Sequence, residues 1–262
     1  MSKEYKKYLF KLKLNKVLIL LTQIFILLFF IVFWQYSADH GWINTFITSS
    51  PKQVISTIIK IYTQNNLLTH IGITIYETLI SFTLATVLGI IIAIILWWNK
   101  FLSKVLDPYL TVINSLPKVA LGPIIIIWSG SNIKSIIIMA LLISLIITII
   151  TVHNGFKATD QNKINLLKSF KASKYQILKY LVLPSSYNTI ISSLKINISM
   201  SLIGVITGEF LVSKEGIGYL IVYGSQVFNL SLVISGILIL LIVSYLMYLI
   251  VSIIEKILIK ND

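Results

Sequence analysis

Six stretches of this chain are apolar along twenty residues or more, and they fix the solvent in which it can fold. They are residues 17–36, 71–98, 106–128, 133–152, 187–212 and 227–254. About 20 mostly apolar residues cross a bilayer as one helix. In hydrocarbon the backbone can bond only to itself, so a crossing segment must be a helix or part of a closed barrel. These runs are continuous rather than alternating, which selects helices. Only 12% of the chain is charged, where a soluble domain carries about 25%. The expected fold is therefore an all-α integral membrane protein with about six transmembrane helices, one domain over 17–254. The third run is the weakest, because it holds Asp107, Pro108, Pro117, Lys118 and Pro123.

The formal net charge is +13, and every one of the 22 basic residues is lysine. Such a balance suggests nucleic acid as a partner, but the placement of the lysines argues for a membrane instead. If residues 1–16 lie inside, then segments 1–16, 99–105, 153–186 and 255–262 are inside too, and they hold sixteen lysines. The outside segments hold four: Lys52, Lys60, Lys134 and Lys214. Positive charge concentrates on the cytoplasmic side of membrane proteins. Both termini are thus expected in the cytoplasm, in a multi-pass plasma-membrane protein, with no nucleic-acid partner and with lipid around it. The first apolar run is too long for a typical signal peptide, and no small-residue cleavage site follows Trp34-Gln35-Tyr36. It reads as a retained first helix.

Cysteine is absent, which excludes disulfides, thiol catalysis and Cys-ligated zinc. His40, His70 and His153 lie in separate flanks without metal-ligand spacing, so neither metal nor cofactor is expected. The acidic residues are scattered, which speaks against an enzyme. No Gly-x-x-x-x-Gly-Lys-Ser/Thr loop is present to cradle a nucleotide. Energy for any transport must come from a partner or from an ion gradient.

Two polar segments are patterned enough to fold. In 37–70, Ser50-Pro51 can start a helix, with proline at the first position. Val54, Ile55, Ile58, Ile59 and Tyr62 then recur at helical spacing, as in an amphipathic helix on the outer interface. In 153–186, Asp160 can cap a helix over 161–170, and Ser173-x-x-Gln176 forms a capping-box pattern for a second. That second helix puts Ile177, Leu178 and Leu181 on one side and Lys174 and Lys179 on the other, and should end at Leu183-Pro184.

A set of short pieces occurs in order along the chain: Ser50-Pro51-x-x-Val54, His70, Leu106-Asp107-Pro108, Ser115-Leu116-Pro117-Lys118-Val119-Ala120-Leu121-x-Pro123 and Trp128-x-Gly130. Lys171-Ala172-Ser173, Leu183-Pro184, Gly208-Glu209-Phe210 and Gly216-Ile217-Gly218-Tyr219 complete it. Together, from about Ser49 to Val251, they resemble permease subunits of binding-protein-dependent ABC importers of the nitrate/sulfonate/taurine type, a branch that includes thiamine-precursor carriers. The resemblance implies an importer type I permease fold. It also implies two ATP-binding subunits, an extracytoplasmic substrate-binding protein and a second permease copy, a homodimer. Residues 153–186 would be the cytoplasmic coupling loop, with ATP hydrolysis left to the partner.

By the same resemblance, contact with the ATPase falls on Asn165, Leu167, Lys171, Ala172, Ser173 and Pro184. The family has Glu where this chain has Asn165, and Gly where it has Lys171. A glycine at 171 would permit a left-handed residue between the two short helices, a shape that lysine can adopt at a cost of about 1 kcal/mol. The alternative to the whole reading is an ion-gradient-driven secondary transporter, which would predict paired half-repeats. None stands out.

Four charged residues inside the runs are candidates for the pathway or its gate, or for structure. Glu209 is either a gate or a hydrogen-bond partner for a helix end. Glu77 either joins it or snorkels to the interface. Lys118 either lines an anion path or pairs with Glu77 or Glu209. Lys195 is expected to snorkel to the headgroups. Gly204 and Gly208 make a small-xxx-small face for close packing, within the subunit or at a dimer seam. Gly216 and Gly218 suit a tight turn.

Overall fold

The structure, a computed structural model, describes residues 3–64 and 66–259. Lys260 of the basic tail lies outside the described residues, as do the side chains of Lys3, Lys6, Lys7, Lys11 and Lys13. Thirteen α-helices account for the described chain. A long helix α1 (Lys3–Asp39) is followed by a short α2 (Thr45–Thr48), then α3 (Pro51–Gln64) and α4 (Leu67–Trp98). Next come α5 (Lys100–Ser115), α6 (Gly122–Ser129) and α7 (Ile133–Lys157). A loop carries α8 (Gln161–Ser169), α9 (Lys174–Ile177) and α10 (Leu183–Ser185) into α11 (Tyr187–Val212). The chain ends with α12 (Ile217–Gln226) and α13 (Leu230–Ile259). Five helices are long and apolar enough to cross a membrane, or six if α5 and α6 count as one bent span.

The third run is where helix formation breaks. Leu116 is extended (φ −68°, ψ 140°), as a residue before proline prefers. A single 3₁₀ turn, Lys118–Leu121, then redirects the chain, and the two halves meet at 91°. Pro108, by contrast, sits inside α5 without ending it.

The centre of the bundle is α7, held between α4 and α11. Small residues let the backbones approach. A Cβ on Gly204 would lie 2.4 Å from the Cα of Ala140, and one on Gly208 2.9 Å from the Cα of Ile136. A Cβ on Gly89 would meet the Thr148 methyl at 2.6 Å. The Gly204/Gly208 face is therefore used inside the subunit, where association depends on such contact rather than on a hydrophobic drive. A larger apolar cluster joins α11, α12 and α13 to α3 and α4 through Ile61, Ile198, Leu202, Ile217, Leu220, Ile239 and Val243.

Helix α3 begins as its sequence suggests, with the Gln53 amide donating to Ser50 Oγ at 3.3 Å. Its apolar stripe divides. Val54 and Ile61 are buried and Ile58 packs against the cluster that holds Ile61, whereas Ile55, Ile59 and Tyr62 face outward. Helix α1 is the opposite of a core element. From Val17 to Phe33 its large side chains stay 40–67% exposed. It is tied down at its far end, where the Lys52 amide donates to Gln35 Oε1 at 3.0 Å.

One expectation needs correction. The helix that starts at Ser173 does not end at Leu183-Pro184. It widens into a π turn over Leu178–Val182, in which the Leu183 amide donates to the Leu178 carbonyl. The wider turn accommodates a ring that would strike the carbonyl four residues back, and the chain runs on through Pro184 to Ser185. The turn at Gly216 is present, with φ +108°, and it opens into a ten-residue helix, α12, that was not anticipated.

Candidate functional site

Two polar assemblies stand at opposite ends of α11. At its C-terminal end, Glu209 and Glu77 are both buried, 1% and 2% exposed. Their side chains adjoin. A buried acid needs donors, and Glu209 has them. Its Oε1 accepts from Thr74 Oγ1 at 2.6 Å, and its Oε2 accepts from the Gly218 amide at 2.5 Å. Thr74 Oγ1 in turn accepts from the Ile217 amide at 2.9 Å, and His70 Nδ1 accepts from the Gly216 amide at 3.0 Å.

Three consecutive amides at the start of α12 are thus bonded by side chains from α4 and α11. Those are groups that a helix N-terminus cannot satisfy by itself, and an acid there also suits the helix dipole. The turn has to be glycine. Gly216 has φ +108°, and a Cβ on it would lie 2.4 Å from the Glu209 carboxyl carbon. His70 also stacks on Tyr219, ring centroids 6.0 Å apart. The contacts of Glu209 are those of a helix-end partner, and Glu77 is buried rather than snorkelled.

Lys118 joins neither acid. Its Nζ donates to the Asn114 carbonyl at 3.0 Å, and among the described residues it forms no ion pair. It stands at the break between α5 and α6, on a face that leaves Val112, Leu116 and Val119 exposed. Lys195 pairs with Glu255 of α13, which also accepts from Ser192 Oγ at 3.2 Å. The two lie sixty residues apart, so nothing local in the sequence links them.

At the other end of α11 lies the loop. Asp160 Oδ1 accepts from the Asn162 amide at 2.8 Å and starts α8. Ser173 and Gln176 form the reciprocal capping box that starts α9. Between them Lys171 takes the left-handed conformation, φ 56°. One face of the loop is fixed to the bundle. Leu167 and Ala172 pack against a cluster of Ala93, Val152, Phe156, Ile177, Leu178 and Val182. Lys174 bonds the Trp98 carbonyl and lies 5.4 Å from that indole's centroid. The other face is open: Leu166 and Phe170 are 57% and 73% exposed, beside exposed Asn165, Lys171 and Ser173. Leu167 and Ala172 thus hold the loop in place, while Leu166 and Phe170, which the sequence reading passed over, face outward. Their spacing of four on a helix whose Leu167 face is buried is the signal that could have found them. Pro184 is exposed at the bend into α11. Among the described residues no group of acids and histidines could hold a metal ion.

Five or six apolar helices long enough to cross a membrane, one of them broken, and a polar loop of short helices fixed to their ends define a multi-pass membrane protein. Residues 85–260 match the family model described as "Binding-protein-dependent transport system inner membrane component". The chain belongs to that family, as the sequence resemblance implied. It is 29% identical over 219 residues to a Haemophilus influenzae protein named "Probable ABC transporter permease protein", covering 83% of this chain and 88% of that one. It is 28% identical over 192 residues to the formylaminopyrimidine transport permease of Halalkalibacterium halodurans, covering 73% and 76%. The fold matches a chain of the MetNI methionine ABC transporter in an inward-facing form, with a TM-score of 0.63 at 16% identity, over 72% of this chain and 94% of that one.

Proposed function

We propose that this chain forms, with a second copy of itself, the substrate path of an ATP-driven importer. ATP-binding subunits dock on the two 153–186 loops, and a binding protein delivers solute at the end where α12 lies. ATP hydrolysis belongs to the docked subunits. The observation that carries the reading is the divided loop, one face fixed to the bundle and the other presenting Leu166 and Phe170 to a partner. The exposed faces of α1 and of the bent α5–α6 pair support a second copy. Lys118, at the bend, offers a positive charge to an anion passing between copies.

The solute is small and polar, of the kinds in the names of relatives: taurine, nitrate or formylaminopyrimidine. Proteoliposomes holding the chain with its ATP-binding subunit and binding protein should take up solute when ATP is supplied to the ATPase side. Uptake that persists without ATP and collapses with an ionophore would identify a gradient-driven carrier instead.

The lysine distribution supports a cytoplasmic side for the loop of residues 153–186. Because the parent has no cysteine, single cysteines report position cleanly. In intact cells a membrane-impermeant thiol reagent should label Glu215→Cys and spare Lys168→Cys. The reverse pattern would invert the topology.

A further inference from the structure

Between the loop and the ends of α4, α5 and α7 lies a cavity of about 590 Å³, which the reading above leaves without a role. Its wall carries five lysines, Lys100, Lys104, Lys157, Lys168 and Lys174, and one acid, Asp107. Two of the five are engaged. Lys157 Nζ is 3.6 Å from Asp107, and Lys174 bonds the Trp98 carbonyl. Lys100, Lys104 and Lys168 form no ion pair among the described residues. The inner wall is apolar, with Leu96, Trp97, Phe156, Ile164 and Ile177. His153 and Ser103 meet at 3.3 Å beside it.

We propose that this cavity binds the phosphate headgroup of an anionic phospholipid. Three features select a lipid over a free anion. The volume far exceeds one phosphate, the apolar wall suits a glycerol backbone and the start of an acyl chain, and Trp97 and Trp98 end α4 where aromatic side chains mark the headgroup level. Basic pockets between helix ends at this level are suited to such headgroups. A phospholipid here bridges α5 to α8, so it sets how firmly the loop is seated. The proposal rests on the chain spanning a membrane, but not on its transporting anything.

The test uses the full chain purified in an uncharged detergent, without ATPase or solute. Phosphatidylglycerol should raise the melting temperature and survive on the protein in native mass spectra, whereas phosphatidylcholine should do neither. Each lysine near a headgroup contributes about fivefold. Lys100→Gln with Lys104→Gln should therefore weaken phosphatidylglycerol binding on the order of 20-fold, while Lys52→Gln with Lys60→Gln, on the remote α3, leaves it unchanged. If the double variant fails to fold, Lys104→Glu alone serves, since that side chain is exposed. Equal response to the two lipids, or undiminished binding by the variant, would overturn the site. Stabilisation by glycerol phosphate as strong as by phosphatidylglycerol would overturn the lipid and leave a water-borne phosphate as the ligand. Weak or no response to glycerol phosphate supports the lipid.

Discussion

Glu209→Leu should melt roughly 10 °C below the parent in detergent. The substitution leaves the Gly218 amide without its acceptor and the Thr74 hydroxyl with only the His70 carbonyl, 3.2 Å away, at a site closed to water. Each such group costs about 1–3 kcal/mol, and about 1 kcal/mol moves the midpoint of a chain this size by roughly 2–4 °C. Glu209→Gln keeps one acceptor oxygen and should fall between. The start of α12 should loosen in parallel, with faster amide exchange at Gly216–Gly218 than in the parent. A Leu variant with the parental midpoint would mean that the α12 amides find other partners.

Phe170→Asp should abolish solute uptake, by tenfold or more, at an unchanged level of protein in the membrane. Phe170 is 73% exposed and touches little of its own chain, so folding has no stake in it. A large apolar anchor at the centre of a docking surface carries about 2 kcal/mol or more of binding, and an acid in its place would sit desolvated and unpaired. Ala172→Asp gives a contrast. It should lower stability as well, because Ala172 packs on the bundle. Uptake and ATP hydrolysis, measured on both variants with melting curves, separate docking from folding. Parental uptake by Phe170→Asp would remove Leu166 and Phe170 from the docking face.

What could be read beforehand was whatever is written locally. The apolar runs mark the long helices, though α7 continues to Lys157 and α13 to Ile259, past the run ends at 152 and 254. Helix hydrogen bonding does not stop at the hydrocarbon boundary. The loop was legible in detail because Asp160, Ser173 and Gln176 act within three residues of themselves. Lys171 was legible from the family pattern, since its left-handed shape is a property of one residue.

The rest was invisible because it joins distant segments. Glu209 meets Thr74 across 135 positions, and Lys195 meets Glu255 across sixty. No periodicity encodes either, so the acids could be noticed but not paired. Helix α12 was missed for the same reason. Its glycines suggest a turn, and it becomes a helix because α4 and α11 bond its first amides. Which way each loop residue faces was not legible, because motif positions give order along the chain, not direction around a helix.

The π turn at Leu178–Val182 has a mechanical consequence. Because the chain does not stop at Pro184, the loop's second helix leads into α11 with a bend but no slack. Helix α11 has 26 residues, about 39 Å of rod. Gly204 and Gly208 clamp that rod to α7 with no side chain between to yield, and Glu209 grips the start of α12 at its tip. A push on the loop passes the Ser186 turn into the α11 rod and reaches α12 through the bond from the Gly218 amide to Glu209. The chain is in effect a lever, with its fulcrum at two glycines, its handle on one side of the membrane and its working end on the other.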